Sequence, residues 1–239
     1  MTVRREEQHF TFVLVHGGWC SGEVFVQLTD LLRVRGHRVY APDLTGCGAR
    51  SHLLRADIGL NTHIQDIVNT IKWANLSNVV LVGHSYGGMV ITGVASEVPE
   101  LIDSIVYLDA FLPADGQALI DLIADPEARE PFQRATASGA SSVPFPRGFA
   151  DALGVPEEDL WKFTPHPIAT LFDPIASTAG LSRLRKRTFV WATQSPDLEK
   201  DYERLQKDSS WNTVAVPAGH MLQWEVPERC VEILEEAAA

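Results

Sequence analysis

The sequence is poor in cysteine and lacks any long hydrophobic run. Its three cysteines, Cys20, Cys47 and Cys230, are too few for a disulfide framework and lack the spacing of a metal site. No apolar stretch approaches the length of a membrane span, and the charged start MTVRREEQH is not followed by a signal-peptide core. We therefore predict free thiols, a reducing compartment and a cytoplasmic protein.

Positive charge is also scarce. The 239 residues carry 20 Lys and Arg against 31 Asp and Glu, which gives a net charge of -11. Nucleic acids normally bind to a basic face, so we expect no nucleic-acid partner, and charge repulsion argues against an anionic membrane partner. The composition leaves open a small-molecule substrate and self-association into a homo-oligomer.

Cofactor motifs are missing as well. The sequence contains no G-x-x-x-x-G-K-[ST] phosphate loop. The segment GCGARS approaches a dinucleotide-binding fingerprint, but Ser51 stands where the third glycine belongs. Since no cluster of metal-ligating residues is present either, we predict neither a cofactor nor a metal.

Short apolar runs alternate with helix-like segments along most of the chain. Six runs are typical of strands: FTFVLV (10–15), RVYA (38–41), NVVLV (78–82), SIVYL (104–108), RTFVWA (187–192) and NTVAV (212–216). Thr62 and Gln65 have the spacing of a capping box at the start of one helix, and Pro227 suits the first turn of another. The alternation predicts an α/β fold with a doubly wound, mostly parallel sheet of about six strands.

Residues 111–186 break this alternation. They contain nine of the fourteen prolines, no convincing strand and several short helix-like pieces. A plain crossover between two strands is much shorter than this segment, and its aromatic residues provide apolar surface to bury. We therefore predict a helical cap at residues 111–186, inserted into a core of residues 1–110 and 187–239.

A nucleophile motif lies between a predicted strand and an apolar helix. Gly83-His84-Ser85-Tyr86-Gly87 matches G-x-S-x-G, the nucleophile elbow, in which small neighbours let a strained turn push the serine hydroxyl out above the sheet. The helix after the turn points its N-terminus at bound negative charge. We interpret Ser85 as a nucleophile; the alternative is a glycine-rich turn without chemistry.

The end of the first strand supplies a candidate oxyanion hole. In FVLVHGGW, the glycines after His16 would let backbone N–H groups face an oxyanion, together with the N–H of the residue after the nucleophile. We predict Gly18 and Tyr86 as the donor pair and a structural role for His16. The alternative is a tight turn that needs glycine for its conformation alone.

A base and an acid would complete a catalytic triad. His220 follows the last strand, at the edge of the sheet where α/β active sites lie. Asp109 ends the apolar strand in SIVYLDAFLP, where an unpaired buried carboxylate would be very unfavourable, so we expect His220 as its partner. Asp197 is the alternative acid, although Ser195-Pro196-Asp197 also suits the first turn of a helix.

These motifs resemble the α/β-hydrolase superfamily over nearly the whole chain. Within it, the sequence is most similar to the plant methylesterase and hydroxynitrile lyase group and its bacterial esterase relatives. The similar segments are FVLVHGGW, APDLTGCGARS, VVLVGHSYGGMVI, IVYLDAFLP and GHMLQ. The resemblance implies a serine hydrolase that acts on carboxylic esters, with a helical cap and no cofactor.

Two residues depart from the pattern of that group. The lyases have a lysine after the catalytic histidine, where this chain has Met221. Many relatives carry their acid in a Gln-Asp pair that here is Gln194-Ser195, whereas some lipases of the superfamily draw it from the strand that ends at Asp109.

The leading interpretation is therefore an esterase that uses Ser85, His220 and Asp109 and an acyl-enzyme intermediate on a small, apolar or aromatic ester. A hydroxynitrile-lyase-like lyase, a cofactor-free oxygenase and a non-enzymatic small-molecule receptor are the alternatives, because the fold alone does not separate them.

Overall fold

The computed structural model describes residues 8–153 and 155–239. The first seven residues of the charged N-terminal stretch and Gly154 lie outside the described residues. No helix in the described part is both apolar enough and long enough to cross a membrane. The three cysteines are free, as predicted, and all three are buried; burial raises the pKa of the Cys47 thiol to about 12.

All six predicted strands are confirmed. The described strands are β1 (Thr11–Val15), β2 (Arg38–Tyr40), β3 (Val79–Ser85), β4 (Ile102–Ala110), β5 (Ser142–Val143), β6 (His166–Pro167), β7 (Lys186–Ala192) and β8 (Asn212–Val216). Six of them form the central sheet in the order β2-β1-β3-β4-β7-β8, and every neighbouring pair is parallel. The central strands β3 and β4 are buried almost throughout, as expected for apolar runs covered on both faces.

Helices cover the sheet. The described α-helices are α1 (Val26–Val34), α2 (Leu60–Trp73), α3 (Gly87–Glu97), α4 (Leu119–Leu122), α5 (Pro126–Ala137), α6 (Arg147–Ala152), α7 (Ala169–Phe172), α8 (Glu199–Leu205), α9 (Leu222–Glu225) and α10 (Pro227–Ala238). Helix α1 packs against α10, and α2 packs against α3. The helix predicted from Pro227 onward is confirmed.

The predicted capping box at Thr62 is wrong. Helix α2 begins at Leu60, and the backbone N–H of Leu60 donates to Oδ2 of Asp173 at 3.0 Å. The Gln65 amide instead donates to the carboxylate of Glu97 at 2.7 and 2.8 Å. A side chain 113 positions away along the chain caps the helix, so local spacing could not identify it.

The segment 111–186 contains the helices α4 to α7 and, unlike the prediction, two short strands. Strands β5 and β6 pair antiparallel, with Ser142 opposite Pro167 and Val143 opposite His166. Phe132 and Phe163 are buried, whereas Trp161 is 72% exposed. Both phenylalanine and aliphatic side chains of this segment join the core, and its only pairing of strands within the described residues is two residues long.

Candidate active site

Ser85 lies at a sharp turn between β3 and α3. Its backbone has φ of +55°, in the left-handed region that is unfavourable for non-glycine residues. A side chain at Gly83 would come within 2.7 Å of the carbonyl oxygen of Gly87, so the turn can close this tightly only with glycine. The strand, strained turn and helix expected of a nucleophile elbow are all present around Ser85.

A β-bulge sets the position of Asp109. His84 pairs with Leu108 and Ser85 pairs with Ala110, so Asp109 is left out of the ladder between β3 and β4. Its φ is +44° and its side chain is fully buried. A bulge re-aims the side chain of the extra residue, which here turns the Asp109 carboxylate toward β7 and His220.

The Asp109 carboxylate has two partners. Its Oδ1 accepts a hydrogen bond from the Ala192 backbone N–H at 3.0 Å, and its Oδ2 lies 2.6 Å from Nδ1 of His220. Since an ionised carboxylate can only accept hydrogen bonds, the proton of the neutral imidazole resides on Nδ1. The lone pair on Nε2 of His220 is therefore free to take a proton.

Asp197, the alternative acid, forms no hydrogen bond or ion pair with His220 within the described residues. It is exposed in a short 3-10 turn, Pro196–Leu198, ahead of α8. The structure thus brings Asp109 to His220 and leaves Asp197 in solvent.

The loop after β1 lies directly against Ser85. A Cβ atom on Gly17 would come 2.8 Å from the Cβ of Ser85, so only glycine permits this approach. A Cβ atom on Gly18 would lie 3.9 Å from the Cβ of Tyr86. Tyr86 precedes the first turn of α3, where N–H groups have no intrahelical partner. The two predicted oxyanion donors therefore lie next to each other at the elbow.

The His16 side chain bonds this loop to the backbone at Leu44. Its Nδ1 donates to the carbonyl of Gly17 at 2.8 Å, and its Nε2 accepts the N–H of Leu44 at 3.0 Å. Burial lowers its pKa, which keeps the ring neutral. These contacts agree with the structural role predicted from the sequence.

His84 is a site residue that the sequence did not indicate. Its Nε2 donates to the backbone carbonyl of His220 at 2.8 Å, and the two rings are 4.6 Å apart. Burial, and then the nearby His220, lower the pKa of His84 well below its usual value. The neutral ring of His84 thus ties the backbone of His220 to the residue before Ser85. Any residue satisfies this position of G-x-S-x-G, so the motif gave no signal.

Ser85 and His220 form no hydrogen bond with each other in the described part of the chain. Such contacts commonly tighten only once substrate is bound.

Two further buried histidines surround Tyr86. His63 donates from Nε2 to the carbonyl of Thr45 at 2.8 Å and accepts the Tyr86 hydroxyl at Nδ1, at 2.9 Å. Burial lowers the pKa of His63 to about 4. The ring of His166 lies 4.9 Å from that of Tyr86, and burial lowers its pKa well below the usual value. Both rings are therefore neutral at pH 7.

Aromatic side chains lie over the site. Phe149 of α6 is centred 6.4 Å from the His220 ring and 6.1 Å from Trp19. Phe132 and Phe145 also pack around Trp19, at 5.9 and 6.1 Å. These aromatic rings thus make part of the surroundings of the site apolar.

No group of three His, Cys, Asp or Glu residues within residues 8–153 and 155–239 could hold a metal ion. The polar groups brought together at the turn are the hydroxyl of Ser85, the imidazole of His220 and the buried carboxylate of Asp109.

Comparisons with known proteins identify the family of this chain. Residues 12–233 match the Alpha/beta hydrolase family. The chain is 35% identical to a carbendazim hydrolyzing esterase of Nocardioides sp. (strain SG-4G), over 93% of this chain and 97% of that protein. It is 26% identical to salicylic acid-binding protein 2 of Nicotiana tabacum, over 98% of each.

A solved structure is similar over almost the same length. An extracellular alpha/beta-hydrolase from a Paenibacillus species superposes with a TM-score of 0.83 at 26% identity, over 95% of this chain and 98% of that chain. The chain therefore belongs to the alpha/beta hydrolase family, and it is a serine hydrolase.

Proposed function

We propose that the protein hydrolyses a small carboxylic ester with an apolar or aromatic group, through a Ser85–His220–Asp109 triad. The observation that carries this proposal is the 2.6 Å contact between Asp109 and His220, beside a serine held in a strained turn. The similarity to a carbendazim hydrolyzing esterase supports ester hydrolysis, and the aromatic side chains around Trp19 support an apolar substrate group.

The reaction follows from the proton on Nδ1 of His220. As Oγ of Ser85 attacks the ester carbonyl carbon, Nε2 of His220 takes the hydroxyl proton. Asp109 holds the ring through Nδ1–H and stabilises the imidazolium that forms. The N–H groups of Gly18 and Tyr86 donate to the oxyanion of the tetrahedral intermediate.

The acyl-enzyme forms when the intermediate collapses. The C–O bond to the leaving alcohol breaks, and the alcohol receives the proton from Nε2 of His220. Water then attacks the acyl carbon while Nε2 takes one of its protons, and that proton returns to Oγ of Ser85 as the acid leaves.

We further propose that residues 111–186 act as a cap on the core formed by residues 1–110 and 187–239. Trp19, in the core, donates from its indole Nε1 to the carbonyl of Val143 in the cap at 3.0 Å. Phe149 of the cap lies above His220. Substrate would therefore reach the site by way of the cap.

Limited proteolysis with subtilisin should first cleave the cap within TASGASSVPFPRG, residues 136–148. Residues 136–139 are exposed, and apart from its chain neighbours no described residue comes within 4 Å of the side-chain position of Gly139. Exposed loop tips of small residues are preferred sites of nicking. Mass spectrometry of the first fragments would locate the cut, and initial cleavage in β3, β4 or β7 would contradict the cap assignment.

A panel of p-nitrophenyl esters with acyl groups of increasing size tests the proposed hydrolysis. We expect sustained turnover, with a preference for apolar or aromatic acyl groups. A single burst or no release would favour a small-molecule receptor on the same fold.

Release of cyanide from cyanohydrins would favour a lyase instead. In this chain the residue after His220 is Met221, which is buried and carries no ammonium to stabilise cyanide.

The cytoplasmic location stays a prediction. The similar Paenibacillus protein is an extracellular one.

A further inference from the structure

His166 joins the cap to the loop that carries Gly18. It lies in β6, is fully buried, and its Nδ1 accepts the backbone N–H of Trp19 at 3.3 Å. Trp19 directly follows Gly18 in the chain. A residue of the cap therefore bonds to the peptide next to a proposed oxyanion donor.

The hydrogen bonds of Thr170 fix the tautomer of His166. The Thr170 hydroxyl donates its one proton to the carbonyl of Pro167 at 2.7 Å. It can therefore only accept from Nε2 of His166, 2.8 Å away, so the ring proton resides on Nε2. Nδ1 keeps its lone pair for the Trp19 N–H, and the Cys47 sulfur lies 3.8 Å from the same nitrogen.

Trp19 needs this support because its backbone is strained. Its φ is +61°, a conformation that is unfavourable for a bulky residue and persists only when the surroundings hold it. The cap holds it at two further points, where its carbonyl accepts the N–H of Thr164 at 2.8 Å and its indole donates to Val143.

The His166 ring also touches the other side of the candidate oxyanion hole. A Cβ atom on Gly18 would lie 4.0 Å from Cε1 of His166, and the ring centres of His166 and Tyr86 are 4.9 Å apart. One buried ring thus packs against both residues that supply the proposed N–H donors.

We propose that His166 is a positioning residue for the oxyanion hole, which orients the Gly18 N–H by accepting the amide of Trp19. The inference rests on the proposed esterase function. It gives the cap a role in stabilising the transition state without contact with substrate. Because a misplacement of about 1 Å at a reacting centre can lower turnover 10²-fold, we expect an effect on kcat.

The test compares His166 with His37, a buried histidine that makes the same kind of bond elsewhere. Nδ1 of His37 accepts the backbone N–H of Phe10 at 3.2 Å, and its Nε2 pairs with Glu235. Leucine and asparagine are placed at each position. Leucine removes the acceptor, whereas the side-chain oxygen of asparagine can replace Nδ1.

We expect His166→Leu to lower kcat for a p-nitrophenyl ester on the order of 10- to 100-fold with little change in KM. Affinity for a trifluoromethyl ketone, which mimics the tetrahedral intermediate, should fall in parallel. His166→Asn should recover most of kcat, and neither His37 variant should change it. Should His166→Leu fold poorly, Thr170→Val frees the tautomer of His166 and should lower kcat in the same direction.

Unchanged kcat in His166→Leu, or in Thr170→Val where the leucine variant does not fold, would overturn the inference while Ser85-dependent turnover stands. Equal losses at His166 and His37 would overturn it as well. If the unsubstituted protein shows no Ser85-dependent hydrolysis, the proposed function itself fails and takes this inference with it.

Discussion

Substitution of Ser85 by alanine should abolish ester hydrolysis and leave the fold intact. Loss of the nucleophile in a serine protease lowers kcat on the order of 10⁶-fold, because the acyl-enzyme can no longer form. Alanine removes one oxygen atom and leaves the backbone of the elbow between β3 and α3 unchanged. We expect the circular dichroism spectrum and the melting temperature to stay close to those of the unsubstituted protein.

Ser104→Ala is the matched control for Ser85→Ala. Ser104 lies in β4, next to β3, and is fully buried, and its hydroxyl has no hydrogen-bond partner among the described residues. Its removal should leave hydrolysis unchanged. Hydrolysis by Ser85→Ala above the level of a mock purification would show that Ser85 is not the nucleophile.

Asp109→Asn should lower kcat by up to about 10⁴-fold, as the corresponding substitution does in the serine-protease triad. The reason lies in the two bonds of the carboxylate. The Ala192 N–H requires an acceptor, so the single oxygen of asparagine would face Ala192 and its amide NH₂ would face His220. The imidazole proton then moves to Nε2, which can no longer act as the base.

Asp197→Asn, measured side by side, distinguishes the two candidate acids. Asp197 is exposed in its turn and has no hydrogen bond or ion pair with His220 in the part of the chain that the structure describes, so we expect nearly full activity. Both variants should keep their cooperative thermal unfolding, which excludes a loss of fold as the cause. A crippled Asp197→Asn beside an active Asp109→Asn would make Asp109 a structural residue.

The sequence predicted those features that depend on neighbouring residues in the chain. The six strands followed from apolar runs such as SIVYL, and the elbow followed from the crowding that only Gly83 and Gly87 permit. The pairing of Asp109 with His220 followed from the energetic penalty of an isolated carboxylate at the end of a buried strand.

The features that the sequence did not predict depend on distant contacts. The partner of Asp109 could be inferred, but not the register shift between β3 and β4 that turns its side chain. His84 bonds to a carbonyl 136 positions away and His166 to an amide 147 positions away, and neither belongs to a periodic pattern. The hydrogen bond from the Leu60 N–H at the start of α2 to Asp173 likewise joins residues 113 positions apart.

The measurement that tests the account most directly is covalent capture of the nucleophile by a fluorophosphonate, read by peptide mass spectrometry. We predict a label on Ser85 alone, absent from Ser85→Ala and formed much more slowly in Asp109→Asn, since His220 must take the proton as the phosphorus is attacked. A label on another serine, or equal labelling of all three proteins, would contradict the assignment of Ser85, His220 and Asp109 as the catalytic triad.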